Sequence, residues 1–185
     1  VVIVVNKSLR EYGGDVAMVW IDAHPDITLP GDPYPGYHAM AVTACMGHGD
    51  AKIVAELPAA FDPSKILFVG LRNWERGEIK ARQHQYGIKH LTPEEVAADS
   101  DALRAWLKSC GASKVVVHFD MDVLDPAEIV AAVGTDPDGM KIEAVIRVIN
   151  DIAAEKELVG LTVAEPMPRT AIRLRDMLGR LPLLE

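Results

Sequence analysis

Cysteine is scarce: Cys45 and Cys110 are the only two among 185 residues. Two thiols are too few for a disulfide framework, so both are expected as small buried hydrophobes in a reducing, cytoplasmic setting. Positive charge is also in short supply. Lys and Arg number 19 against 27 Asp and Glu, a formal net charge of −8, which disfavours nucleic acid and anionic membranes as partners. No apolar run reaches membrane-spanning length, because charge, Gly or Pro interrupts each one. The opening Val1-Val2-Ile3-Val4-Val5 is too short for a signal peptide and no cleavage pattern follows it. Internal repeats, low-complexity tracts and Ser/Gly-rich linkers are missing, so one domain over residues 1–185 is expected. What is present is a globular composition, 49% hydrophobic and 25% charged, which excludes disorder as the default state.

Four runs are almost continuously apolar: Val16 to Ile21, Lys65 to Gly70, Lys114 to Phe119 and Leu158 to Val163. Such runs mark strands buried on both faces, as in a parallel sheet covered by helices. Between them, Glu75 to Gln85, Ala102 to Ser109 and Ile142 to Ala154 carry helical periodicity. Gly111 fits a C-terminal cap, and Thr92-Pro93-Glu94-Glu95 reads as a helix start with Pro at the first helical position. Strand–helix–strand alternation predicts an α/β fold, a three-layer α/β/α sandwich with a mainly parallel sheet.

Two loops break this rhythm. Pro25 to Tyr37 holds Pro25, Pro30, Gly31, Pro33, Pro35 and Gly36, and Asp125 to Gly139 holds Gly134-Thr135-Asp136-Pro137-Asp138-Gly139. Each follows a strand, where open parallel sheets bind their ligands. The first begins within Asp22-Ala23-His24-Pro25-Asp26, and Asp120-Met121-Asp122 precedes the second. Residues i, i+2 and i+4 of an extended segment point to one side, so each set can project together. A single Asp at a strand end is an ordinary turn residue, as Asp125-Pro126 is expected to be. Two such sets, one containing His, are costly in a dry site unless a cation neutralises them. Carboxylate and imidazole donors without thiolate suit Mn²⁺, with Fe²⁺, Co²⁺ or Zn²⁺ also accommodated. Five donors exceed what one catalytic zinc takes and favour a pair of ions.

Asp22-Ala23-His24-Pro25-Asp26 and His118-Phe119-Asp120-Met121-Asp122-Val123-Leu124-Asp125-Pro126 resemble the two downstream metal motifs of the ureohydrolase family: arginase, agmatinase, formiminoglutamase and relatives, nearest to bacterial arginase-like members. Gly36-Tyr37-His38-Ala39-Met40 is similar to the segment whose His is credited with proton transfer. Val159-Gly160-Leu161-Thr162-Val163-Ala164-Glu165 is similar to the late strand whose terminal Glu holds the guanidinium. The resemblance implies an arginase-like fold, a homo-oligomer and a small-molecule guanidino or amidine substrate. It also implies two Mn²⁺ ions bridged by Asp22 and Asp120, with His24 and Asp122 on one ion and Asp26 on the other. A hydroxide shared by the ions, hydrogen-bonded to Asp26, would attack the guanidinium carbon, and His38 would protonate the leaving amine. The residues that hold the amino-acid end in arginase correspond to Thr28 and Tyr34, and Glu128-Ile129-Val130-Ala131-Ala132 replaces the usual Pro-Gly run. His118 is expected to pack behind the site, and His48, His84 and His90 to lie on the surface.

The family's first metal motif, Gly-Gly-Asp-His, has no counterpart, since Gly13-Gly14-Asp15 reads as a turn. By spacing, the missing ligand falls just upstream of Val1, so the chain is expected to be N-terminally incomplete, with one ion or none bound in this form; the alternative is a natural short form with a damaged site. Three rival functions remain. A haloacid-dehalogenase-like phosphatase would use Asp120 as nucleophile but leaves Asp22, His24 and Asp26 unexplained. A single-zinc deacetylase of the same fold would need fewer ligands. A metal-deficient relative kept for binding or assembly would need none.

Overall fold

The computed structural model describes residues 2–34, 36–167 and 171–184; Val1 and the loop proline Pro35 lie outside these. Five strands, β1 Val16–Ile21, β2 Ile66–Val69, β3 Lys89–Leu91, β4 Lys114–Asp120 and β5 Glu157–Ala164, form one sheet. All neighbours are parallel, in the spatial order β3-β2-β1-β4-β5. The chain starts in the middle, runs outward through β2 and β3, then crosses to the other side of β1. A crevice opens at such a reversal of strand order, at the carboxyl ends of the two central strands. Here those strands are β1 and β4, paired with Ile21 opposite Phe119.

Helices α1 Val2–Tyr12, α2 Ala41–Cys45, α3 Ala51–Val54, α4 Gly77–Tyr86, α5 Asp101–Ser109, α6 Ile142–Glu155 and α7 Ala171–Leu178 complete the elements. The strands are buried on alternating faces, which produces the layers. Met18, Trp20, Ile66, Phe68 and Val116 pack with Val5 and Leu9 of α1, Val42 and Cys45 of α2, and Ile79 of α4. Ala17, Val19, Ile21, Leu67, Val117 and Phe119 pack with α5, α6 and α7 through residues such as Leu103, Ile149 and Met177. The three-layer sandwich is therefore as expected. Each fully buried aliphatic or aromatic side chain in these layers contributes about 1.5–3 kcal/mol of transfer free energy.

The structure adds elements that the apolar pattern missed: the short strand β3 and helices α1, α2, α3 and α7. Gly111 follows α5 with φ +71°, as a left-handed cap requires. At Thr92 the helix-start signal is realised in a smaller form. Thr92 N donates to Glu95 Oε2 at 2.7 Å and Glu95 N to Thr92 Oγ1 at 3.4 Å, a reciprocal capping pair. It opens only the 3₁₀ turn Glu94–Val96, and α5 begins separately at Asp101.

Candidate metal centre

Asp22 is the first residue past β1 and Asp120 the last of β4, so the parallel register sets them side by side. Both open the same kind of turn. Asp22 Oδ1 accepts from His24 N at 2.7 Å, and Asp120 Oδ1 accepts from Asp122 N at 3.0 Å. Aspartate favours this local bond because its short side chain reaches the backbone two residues on. The two turns then interlock across the crevice. Asp122 accepts Ala23 N at Oδ1, 3.1 Å, and its Oδ2 lies 2.9 Å from His24 Nδ1. Trp20 Nε1 donates to Asp22 Oδ2 at 3.0 Å and so orients that carboxylate from below.

Among the described residues, two trios bring ligand atoms within 4.8 Å of one another: Asp22, His24 and Asp122, and Asp22, His118 and Asp120. Asp22 is common to both. Asp26 lines the same pocket but belongs to neither trio. His118 packs behind the site, its ring tilted against Trp20 with 3.8 Å between centroids and hydrogen-bonded through Nδ1 to Thr162 Oγ1 at 2.8 Å. Its ring nitrogen is nevertheless within ligand reach of Asp22 and Asp120, a placement the packing role alone does not suggest.

The charges are in conflict. Burial, with the neighbouring Asp charges, pushes the Asp22 and Asp26 carboxyls well above the usual range. Burial and the charge of Asp122 raise Asp120 to about 7. Burial also acts to raise Asp122, but the hydrogen bond and charge of His24 outweigh it and hold that carboxyl low. Burial acts to lower His24, and its contacts with Asp122 and Asp22 overcome that and lift it to about 11. His118, buried without such a partner, is pushed down to about 3. A cation among these groups would remove the conflict by favouring ionised carboxylates and neutral imidazole.

The pocket above, about 380 Å³, is lined by Asp22, Asp26, Glu75, Asp120, Asp122 and Glu165 and, among the described residues, by no lysine or arginine. Three of these acids hold left-handed backbone: Asp26 at φ +49°, Glu75 at +60° and Glu165 at +57°. At the mouth, His38 lies in the 3₁₀ turn His38–Met40, exposed, with Nε2 3.1 Å from Tyr34 Oη. Thr28 lines the pocket, and its hydroxyl donates to Ala39 O at 2.7 Å. Asp125 and Asp15 take ordinary turn and loop roles, accepting from Ala127 N and Ser113 N. His48 and His84 are exposed as expected, whereas His90 is half-buried, edge-on to Trp74 and bonded to Gln83. Sequence reasoning missed Arg72 and Asn73, which follow β2, and gave Asp136 no role. The available signal was that β2 ends at the same carboxyl edge as β1 and β4.

The sequence profile of the arginase family matches residues 2–176. An arginase of Entamoeba histolytica is 29% identical over 159 residues, covering 83% of this chain and 53% of that protein. An arginase of Saccharomyces cerevisiae is 27% identical over 170 residues, covering 85% and 51%. The chain thus spans about half the length of the curated relatives it matches. Among solved structures, E. histolytica arginase in complex with L-ornithine superposes with a TM-score of 0.81 at 22% identity, over 91% of this chain and 60% of the other. Formimidoylglutamase from Bacillus subtilis gives 0.70 at 16% identity, over 89% and 49%. At these identities the structural likeness speaks for the fold.

Proposed function

The chain belongs to the arginase family, and from that premise we propose that it hydrolyses a linear C–N bond of a guanidino or formimino compound at a divalent metal centre. One observation carries the reading. Six carboxyl groups line a single pocket with, among the described residues, no lysine or arginine to balance them, and burial together with the neighbouring carboxylates keeps Asp22, Asp26 and Asp120 from ionising freely. The donors Asp22, His24, Asp26, Asp120 and Asp122 are oxygen and imidazole only, which suits Mn²⁺. Bound there, a cation pair supplies Lewis acidity, lowering the pKa of water and stabilising charge that develops on the substrate.

The chain's own residues have distinct tasks in this reading. Glu165, at the end of β5 and on the pocket wall, offers a carboxylate for bidentate contact with a planar guanidinium. His38, on the pocket lining with Nε2 3.1 Å from the Tyr34 hydroxyl, is assigned the task of protonating the leaving amine. Asp26 faces the reacting centre from the loop and can hold a proton on its raised carboxyl. Ile27, Trp74 and Val133 give the mouth apolar walls that limit water.

The test is release of urea or formamide from a panel of guanidino and formimino compounds by the full-length protein supplied with Mn²⁺. Release is expected to depend on metal and to fall at least about a hundredfold in Asp120→Ala, which removes an anchor and its charge. Activity that survives Asp120→Ala or chelation, or no release from any compound with Mn²⁺ bound, overturns the assignment.

A further inference from the structure

His24 presents its two ring nitrogens to different partners. Nδ1 faces inward, 2.9 Å from Asp122 Oδ2 and 3.6 Å from Asp22 Oδ1, where a cation would sit. Nε2 faces outward, 3.2 Å from Asp136 Oδ2 on the loop after β4. Asp136 is not free to turn. Its Oδ1 accepts from Asn73 Nδ2 at 2.6 Å, and its carbonyl accepts from Arg72 Nη2 at 2.8 Å. The same Arg72 nitrogen donates to Asp122 O at 3.0 Å, and Nε donates to Pro137 O at 2.9 Å. Arg72 therefore clasps the Asp122 turn and the Asp136 loop together, while Asn73 sets the rotation of the Asp136 carboxylate.

We propose that Asp136 is a positioning residue for His24: it accepts the Nε2 proton, fixes the ring plane, and leaves the Nδ1 lone pair directed at a cation shared with Asp22 and Asp122. An imidazole ligand must carry its proton on the outer nitrogen, and a carboxylate acceptor there both selects that tautomer and makes the ligand more basic. A purely structural Asp136 would need only the Asn73 and Arg72 bonds to shape its loop. The third contact, from the second carboxylate oxygen to His24, has no part in that task. The inference rests on the metal-centre reading above and extends it to a loop that carries none of the proposed ligands.

The test uses the whole chain and has two arms. In the first, Mn²⁺ affinity is measured by calorimetry and the Co²⁺ derivative by visible absorption. Asp136→Ala is expected to weaken binding by about 10–100-fold and shift the Co²⁺ spectrum. Asn73→Ala should give a smaller loss in the same direction, and Asp136→Glu a partial recovery. In the second arm, without metal, the imidazole N–H signals are followed by ¹⁵N NMR. A solvent-protected His24 Nε2–H is expected in the parent and should be lost in Asp136→Ala. Parent affinity retained within twofold in a folded Asp136→Ala, or an Nε2–H signal indifferent to the substitution, overturns the proposal. A parent that binds neither Mn²⁺ nor Co²⁺ yet shows the Asp136-dependent signal refutes the metal centre and leaves the His24–Asp136 contact standing.

Discussion

Asp26, Glu75 and Glu165 share a backbone conformation that L-residues avoid, because Cβ approaches the following carbonyl. Each costs roughly 1 kcal/mol relative to glycine in that conformation, partly offset by the greater unfolded-state freedom glycine would add. The surrounding structure holds them there; Asp26, for instance, is fixed by its carbonyl, which accepts from Val42 N at 3.0 Å. Glu165→Gly is therefore expected to raise the melting temperature by roughly 1–3 °C while removing the carboxylate proposed to grip the substrate. Scanning calorimetry beside a urea-release assay reads both. A lower melting temperature would show that Glu165 contributes more to the fold than its backbone strain takes away.

At the level of elements, the join between β2 and the centre is the tightest. Gly70 has φ +83°, and a Cβ there would collide with Val123 Cγ2 and come within 3.0 Å of Met140 Sδ. Gly70→Ala combines a left-handed penalty with overpacking and should destabilise by about 2–4 kcal/mol; denaturant unfolding checks it, and a change under 1 kcal/mol would contradict the packing described. Of the four apolar runs, that of β5 lies at the sheet edge and is only half-buried, so its expected two-sided burial is not realised among the described residues. The other three, those of β1, β2 and β4, were legible because strands buried on both faces need continuous hydrophobicity. β3 was not, since Lys89-His90-Leu91 is too short and polar to show a pattern. α1 was not either. Its early residues are β-branched, which disfavours helix locally, and burial of Val5 and Leu9 against the sheet overrides that propensity. The signal at Thr92 was real as chemistry but said nothing about length, so a helix start became a single turn.

For the molecule as a whole, the crowded carboxylates make stability depend on pH and metal together. In chelated protein the native state keeps protons on Asp22, Asp26 and Asp120 that the unfolded chain gives up above its ordinary carboxylate pKa of 3.8. The native state then binds more protons than the unfolded one, so stability falls as pH rises from about 4, through about 7 for Asp120. His24 acts in the same direction at higher pH: its contribution is complete below 6.5 and is lost as pH rises through about 11. Melting temperatures of chelated protein should decline from pH 4 to 7, and Mn²⁺ or Asp120→Asn should flatten the decline. A flat profile without metal would contradict the buried-charge account. The acids and His24 could be read from sequence because strand ends place alternate residues together whatever the rest of the fold does. Asp136, Asn73 and Arg72 could not, because polar loop residues carry no period and meet only once β1, β2 and β4 are aligned. The left-handed acids also bear on history. A single base change converts an aspartate or glutamate codon into a glycine codon, so mutation offers each of these three positions a relaxed backbone in one step. At Asp26, Glu75 and Glu165 this chain carries a carboxylate where the backbone alone would favour a bare hydrogen.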